Sequence, residues 1–328
     1  MRAQGPALIA IVAALGCGNI AAPADQKLIE GTPQKIDAAG TTAHEGPSWD
    51  PKTGWVYFVG QNRVSRVNPE GKVEVFLDPS RGANGSLVDP QGRVLVCESA
   101  GRRVIRVERD RSVTVLAETF EGKKFNSPND VALDSRGRIY FTDPRYGNRD
   151  SMEITDATGR HIEGVYRVDA PGKVTRILGA EIERPNGILV SPGDKYLYIA
   201  DNNNGEGGAR KLLRFDLKKD GTVDPATKKV IFDWHKARGP DGMKLDTKGN
   251  FWVAAGRNTL SRTETTDEFK GGLFVISPQG KLLEFLPMPK DETTNCGFAG
   301  PDLKTLYITS GEELYKVRVK IAGRISAK

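Results

Sequence analysis

A turn followed by an alternating apolar strand recurs six times along the chain. The turn has the form Asp-x-x-Gly or a close variant, and its copies begin at residues 50, 89, 134, 191, 246 and 301. Asp, Pro and Gly preset or tolerate turn dihedral angles, and the strands after the turns are rich in Val, Ile, Tyr and Phe at every second position. Most units add a second strand and a second turn. The repeat predicts an all-β chain.

The spacing of the repeat predicts the architecture. The intervals between successive turns are 39, 45, 57, 55 and 55 residues. Such lengths suit four short strands and their loops, which make one blade of a β-propeller, and six blades closed into a ring leave few exposed sheet edges. We expect one six-bladed β-propeller domain over residues 25–328, with a central channel. The excess length should form loops from Tyr146 to Ile162 and from Asn202 to Arg210, and a long turn from Lys218 to Lys229.

The N-terminal region resembles an export signal. Arg2 precedes an apolar stretch over residues 7–15, which is too short to span a bilayer. Ala22-Pro-Ala24 offers a cleavage site, so residues 1–24 are predicted to be a signal peptide and the mature chain to be periplasmic or secreted. Cys17 leaves a lipid anchor open, although the residues before it fit a lipobox poorly.

Charge and cysteine content narrow the partners. The net charge of +6 comes from Lys and Arg spread through the chain, mostly in turns beside Asp and Glu, so we expect no nucleic-acid partner. We also expect no transmembrane span in the mature chain and a monomer or weak oligomer. Beyond the signal, Cys97 and Cys296 lie in repeats that should not be neighbours, and two cysteines make no disulfide framework. Both should be free.

Aligning the six units on their turns reveals a row of polar residues. Five positions before each turn stand, in chain order, Glu45, Asn84, Asn129, Asn186, Asp241 and Cys296, with Asn295 beside the last. The inner strand of each propeller blade lines the channel, so equivalent positions converge on the axis. The repeat therefore predicts a ring of oxygen donors.

Such a ring suits one hard divalent cation. Two carboxylates balance its charge and carboxamides add neutral oxygen ligands, which favours Ca²⁺, while Mg²⁺ or Mn²⁺ could substitute. The histidines at 44, 161 and 235 have no zinc-type ligand spacing. The alternative is that these polar residues cap inner strands and hold channel water. Burying two carboxylates without a cation would be costly, which favours the metal.

Motifs around these positions resemble the gluconolactonase/regucalcin (senescence marker protein) family, above all its bacterial gluconolactonases. They run in order through the mature chain as EGPSW from Glu45, SPNDV from Ser127, FTDPRYG from Phe141, RPNGI from Arg184, GPDGM from Gly239 and TNCGF from Thr294. The resemblance implies a six-bladed propeller that opens sugar lactones with one divalent metal, usually calcium and in some members zinc or another ion.

The resemblance also implies roles for individual residues. Glu45, Asn186 and Asp241 would ligate the metal, Asn129 would contact metal or substrate, and Asp241 would double as the acid or base. Ser127 stands where some members carry Arg, so the resemblance does not identify the substrate of this chain.

Other residues are expected to shape the pocket. Asn84 and Asn295 would orient substrate hydroxyls or simply line the channel, and Tyr146 would roof the pocket or stand in a rigid turn. The four tryptophans follow strand spacing and should belong to the core between blades: Trp49, Trp55, Trp234 and Trp252.

The hypothesis for the chemistry is metal-assisted ester hydrolysis. The cation would polarise the lactone carbonyl, and Asp241 would take a proton from the attacking water. Direct ligation lowers the basicity of a carboxylate, so attack by a metal-bound water or by Asp241 itself stays open. Two other readings keep the site: hydrolysis of a phosphotriester, and a non-catalytic propeller that binds metal or ligand.

Overall fold

The computed structural model describes residues 27–37 and 40–325 and confirms the predicted six-bladed β-propeller. The signal-peptide prediction and Cys17 fall on residues outside the described part. The strands of blades one to three, with β1 before them, are β1 (Ile29–Ile36), β2 (Glu45–Trp49), β3 (Val56–Gly60), β4 (Arg63–Val67), β5 (Val73–Leu77), β6 (Ala83–Val88), β7 (Val94–Glu98), β8 (Arg103–Val107), β9 (Val113–Ala117), the hairpin β10 (Thr119–Phe120) and β11 (Lys123–Lys124), β12 (Val131–Leu133), β13 (Ile139–Asp143), β14 (Gly164–Ala170) and β15 (Lys173–Leu178).

The remaining blades follow the same plan. Their strands are β16 (Pro185–Val190), β17 (Tyr196–Asn202), β18 (Arg210–Leu217), β19 (Val223–Asp233), β20 (Met243–Leu245), β21 (Phe251–Ala255), β22 (Gly272–Ile276), β23 (Leu282–Pro287), β24 (Thr293–Ala299), β25 (Thr305–Ser310) and β26 (Glu313–Val319). Each blade is a four-stranded antiparallel sheet, and in blades one to five the strands run in chain order from the channel outwards. A short 3-10 helix, Pro192–Asp194, forms the turn of blade four.

Strand β1 closes the ring, which the repeat did not predict. It pairs antiparallel with β26, with Ile29 opposite Val319 and Ile36 opposite Leu314, and so becomes the outermost strand of blade six. The two ends of the described chain therefore meet in one sheet. This pairing covers an edge that would otherwise be exposed.

Among the described residues the hydrophobic core consists of six clusters, each between two neighbouring blades. Trp234 is fully buried between blades four and five, and Trp252 between blades five and six. Trp49 and Trp55 are half-buried at the clusters on either side of blade one. All four tryptophans lie between blades, as predicted.

The loops agree with the sequence in two places and differ in a third. Residues 144–163 and 203–209 connect the second and third strands of blades three and four, as expected. The predicted long turn from Lys218 to Lys229 is wrong, because the turn spans only 218–222 and the remainder belongs to β19, with Val223 opposite Leu217. An outermost strand has few buried faces, so residues 224–229 lack the apolar alternation that would have identified them.

The repeated turns lie at the opposite end of the inner strands from the predicted ring. In the first turn Gly54 N donates to Asp50 O at 2.8 Å, and the Asp50 carboxylate accepts the N–H of Lys52 at 2.9 Å. At this end the final described residues pack against blade five, where Arg324 N donates to Leu245 O at 2.9 Å. No helix in residues 27–37 and 40–325 is long and apolar enough to cross a membrane.

Candidate metal and substrate site

The polar register residues lie together at one end of the inner strands. Glu45 opens β2, Asn84 and Asn186 are second in β6 and β16, and Asn129 and Asp241 stand two residues before β12 and β20. Asn84 is half-buried and the others are buried. The structure therefore brings five of the six aligned positions to the channel.

In blade six the residue at the channel position is Asn295, one residue before the Cys296 that the alignment predicted. The Cys296 thiol points into the core between blades five and six, where its Sγ lies 3.4 Å from Trp252 O. Asn295 takes the channel position, and its Nδ2 donates to Glu45 Oε2 at 2.7 Å. The turn of blade six begins at Gly300, because Leu303 N donates to Gly300 O at 2.9 Å as Gly92 N does to Asp89 O in blade two. The sequence alignment started this turn one residue too late, at Pro301. Cys296 and Cys97 are both free, as predicted, and both are buried.

Glycines allow the inner strands to meet closely. The residue after the channel position is glycine in four blades: Gly46, Gly85, Gly187 and Gly242. A Cβ on Gly187 would lie 2.3 Å from Asp241 O, and one on Gly85 would lie 2.5 Å from Asn129 O. A side chain does not fit there, so backbone approaches backbone. This close approach brings the polar channel residues of neighbouring blades close together.

Three buried carboxylates share this space. Burial raises the pKa of Glu45 well above its usual value, and the charges of Asp241 and Asp130 raise it further. Burial also raises the pKa of Asp241, although Arg238 opposes the effect. Asp130 was missed by the sequence alignment. It stands where other blades have glycine, and its carboxylate accepts the N–H groups of Val131 at 2.9 Å and Ile188 at 3.3 Å.

Two cations, also missed, balance part of this charge. Arg238 is buried and its guanidinium donates to Asp241 Oδ2, while Nη1 donates to Thr293 O at 2.9 Å. Lys244 Nζ lies 3.3 Å from Asn295 Oδ1. Burial raises the pKa of Asp130, and the charge of Lys244 opposes this rise. Arg238 stands three residues before Asp241 in the sequence, and Lys244 stands three residues after it. Their positive charges close to Asp241 in the segment KARGPDGMKLD, residues 236–246, were the available signal.

Tyr146 fixes the orientation of Asn186. The Asn186 Nδ2 donates to the Tyr146 hydroxyl at 2.9 Å, and that hydroxyl donates to Asn202 O at 3.2 Å. Arg184 lies over the Tyr146 ring, with 5.3 Å between the guanidinium carbon and the ring centroid. Because the amide nitrogen is engaged, the Asn186 oxygen is directed away from Tyr146 and is available as a ligand.

The free oxygens fit a hard cation. Within the described residues, Glu45 Oε1, Asp241 Oδ1 and Asn186 Oδ1 accept no hydrogen bond from the protein. The Asn84 oxygen is buried without a partner there. No group of three or more His, Cys, Asp and Glu that could hold a metal ion occurs in that same part of the chain. Carboxylate and carboxamide oxygens are the ligands that Ca²⁺ accepts.

Residues 43–312 match the family described as SMP-30/Gluconolactonase/LRE-like region. The chain belongs to this family. A gluconolactonase of Zymomonas mobilis subsp. mobilis is 29% identical over 89% of this chain and 83% of the relative. The structure of a gluconolactonase from Xanthomonas campestris aligns with a TM-score of 0.70 and 25% identity, over 90% of this chain and 97% of that one.

A more distant structure shares the fold alone. Regucalcin of Agrobacterium tumefaciens, a calcium-binding protein, aligns with a TM-score of 0.70 and 20% identity, over 90% of this chain and 96% of that one. Family membership agrees with the resemblance drawn from the motifs at Glu45, Ser127 and Gly239.

Two further aspartates position channel residues in this SMP-30/gluconolactonase-like chain. Asp143 ends β13 and accepts the N–H groups of residues 126 and 127, both at 2.8 Å, just ahead of Asn129. Asp201 does the same for residues 183 and 184, at 3.2 and 2.8 Å, just ahead of Asn186. The matching segments IYFTD and LYIAD carried this signal in the sequence. Each carboxylate holds the connector that enters an inner strand.

Proposed function

We propose that this protein hydrolyses a sugar lactone in its central channel with the help of one divalent cation, with Ca²⁺ the first candidate and Zn²⁺, Mn²⁺ and Mg²⁺ the others. The observation that carries the proposal is the pair of buried carboxylates, Glu45 and Asp241, whose charges act on each other and whose outer oxygens remain free. The gluconolactonase activity named for the Zymomonas and Xanthomonas relatives supports the choice of substrate class.

Four residues would hold the cation: Glu45, Asn129, Asn186 and Asp241. When bound there, the cation supplies Lewis-acid polarisation of the lactone carbonyl. Asn295 holds Glu45 Oε2, and Tyr146 holds the Asn186 amide. In this proposal Asn295 and Tyr146 orient ligands, whereas the sequence assigned them to the substrate. Asn84, with its unpaired buried oxygen, is left to accept a substrate hydroxyl.

Asp241 has the geometry for proton transfer. Arg238 bonds Oδ2 and leaves Oδ1 free toward the channel. In the proposed reaction a water oxygen bonds to the carbonyl carbon and gives its proton to Oδ1. A carboxylate oxygen has two lone pairs, so Oδ1 would contact the cation with one and accept this proton with the other, at reduced basicity. The ring C–O bond then breaks, and the ring oxygen takes that proton to leave as a hydroxyl. The product is the open hydroxy acid, and Asp241 returns to its starting state.

Hydrolysis of glucono-1,5-lactone, followed as proton release, tests the proposal. The protein is assayed as purified, after EDTA, and after adding back Ca²⁺, Zn²⁺, Mn²⁺ or Mg²⁺. We expect turnover that depends on metal, and a loss of about 10²- to 10⁴-fold in kcat for Asp241→Asn, the range for removal of a general base. Asp267→Asn removes an exposed carboxylate outside the channel and serves as the control.

Two outcomes count against the proposal. Stoichiometric metal binding without turnover by any metal would reject lactone hydrolysis. An Asp241→Asn protein that binds metal and keeps most of its activity would remove Asp241 from the mechanism.

Export is proposed on the sequence alone. Residues 1–24 would direct secretion, and the first residue of the mature chain, Asp25 or a lipidated Cys17, distinguishes cleavage at Ala24 from lipoprotein processing. Mass spectrometry of the protein isolated from the periplasm or the medium measures this directly. The full-length chain recovered uncleaved from the cytoplasm would reject export.

A further inference from the structure

Arg238 is a permanent cation built into the candidate metal site. It lies in the connector between β19 and β20 and is only 8% exposed. Its backbone is held because Gly256 N donates to Arg238 O at 3.0 Å. One guanidinium nitrogen donates to the Asp241 carboxylate and the other to Thr293 O at 2.9 Å, so the side chain bridges blades five and six. A buried arginine in two such bonds has a fixed position.

The first consequence concerns the oxygens of Asp241. Arg238 takes Oδ2, so Asp241 can offer a cation only Oδ1. Ca²⁺ accepts carboxylates through one oxygen or both, and two-oxygen contacts from charged ligands are one way in which sites gain affinity. While the guanidinium stays in place, Asp241 is restricted to one-oxygen ligation.

The second consequence concerns charge. The guanidinium stays protonated at all relevant pH values. It neutralises part of the negative charge that would attract a divalent cation, and it repels that cation at short range in a buried site where screening is weak. The Glu264 and Glu292 carboxylates also act on Arg238, which helps to keep this charge in a buried place.

We propose that Arg238 is a positioning residue that weakens metal binding: it occupies one oxygen of Asp241 and opposes the charge of the cation, so that the site exchanges its metal readily. The inference rests on the proposed function only in placing the metal beside Asp241. It predicts an affinity lower than two buried carboxylates and several carboxamides would otherwise give.

Direct titration of the full-length protein with Ca²⁺ and Mn²⁺, by calorimetry at one fixed pH, tests the inference without an activity assay. Arg238→Gln removes the charge and the guanidinium, and we expect it to tighten the Kd at least about tenfold. Arg238→Lys keeps the charge and should stay within about threefold of the unaltered protein. Arg93→Gln removes a comparable ion pair, with Asp89, at the far end of blade two and should leave the Kd unchanged.

Folding is checked for each variant by circular dichroism and thermal unfolding. Arg238→Met, whose straight apolar chain fills similar space, is measured alongside in case Arg238→Gln does not fold. A folded Gln or Met variant whose Kd is unchanged or weaker overturns the proposal, and so does a Lys variant that tightens as much as Gln. A failed lactonase assay with the expected Kd pattern would reject the proposed activity and leave the role of Arg238 standing.

Discussion

The close contact between inner strands makes Gly187 the most informative position to enlarge. In Gly187→Ala the new Cβ would begin 2.3 Å from Asp241 O, so either strand must move by about 1 Å to reach an ordinary carbon–oxygen contact. The atom it meets belongs to backbone, which cannot rotate aside. Forcing an extra carbon into a packed region costs about 1–3 kcal/mol. Displacing a reacting group by about 1 Å costs about 10²-fold in rate.

Thermal unfolding and lactone hydrolysis measure the two effects in the same preparations. Gly179→Ala is the matched control, because its Cβ would meet Ile162 Cγ2 at 3.6 Å and its backbone is not left-handed. We expect Gly179→Ala to behave like the unaltered protein and Gly187→Ala to lose both stability and activity. A Gly187→Ala protein as stable and active as the control would show that the inner strands do not need this close approach.

Three other predictions follow from the contacts around the channel. Tyr146→Phe keeps the ring but removes the hydrogen bond to Asn186. Ca²⁺ binding should weaken about fivefold, which corresponds to the loss of about 1 kcal/mol, with little change in thermal stability. An unchanged Kd by calorimetry would contradict this. Calcium at about 100 times its Kd should stabilise the fold by about 2.7 kcal/mol in thermal unfolding, and Glu45→Gln should lose most of the gain; an equal gain in that variant would place the ion elsewhere. Burial raises the pKa of Asp201 from 3.8 to about 6, so the folded state binds the carboxyl proton of Asp201 more tightly than the unfolded state. The protonated carboxyl therefore contributes fully to the free energy of unfolding below about pH 4, and this contribution of about 3 kcal/mol is lost as the pH rises through 6. Asp201→Asn should remove that change from the measured pH dependence of unfolding.

The periodicity of the sequence predicted most of the fold because each blade repeats the same local turns and strands. The buried aspartates of the turns at Asp50, Asp89, Asp134 and Asp246 accept N–H groups of their own turns, so their spacing could be read without knowing the sheet. Strand β1 escaped detection because its partner, β26, is almost the whole chain away. A pairing at that separation leaves no local pattern.

The residues of the candidate site likewise divide into those that the repeat predicted and those that it did not. Glu45, Asn186 and Asp241 occupy equivalent positions in their units, and a simple alignment on the turns found them. Asn295 was missed by one residue because the turn of blade six begins at Gly300, where no Asp marks the first turn position, and the alignment started it at Pro301. Arg238 lies outside the strands, and its contact with Asp241 depends on the path of a connector.

The charges that the alignment missed change the chemistry expected of the channel. With every group ionised, Glu45, Asp130 and Asp241 oppose Arg238 and Lys244, which leaves one net negative charge. A bound divalent cation would make this one net positive charge. Hydrolysis of an ester places a new negative charge on the carbonyl oxygen in the transition state, and in this channel that charge would bring the cluster to neutrality. Stabilisation that is greater in the transition state than in the ground state is what lowers a barrier. A channel holding the two carboxylates alone would already be neutral with the cation bound. The buried Arg238, the half-buried Lys244 and the third carboxylate, Asp130, therefore favour turnover over simple metal storage.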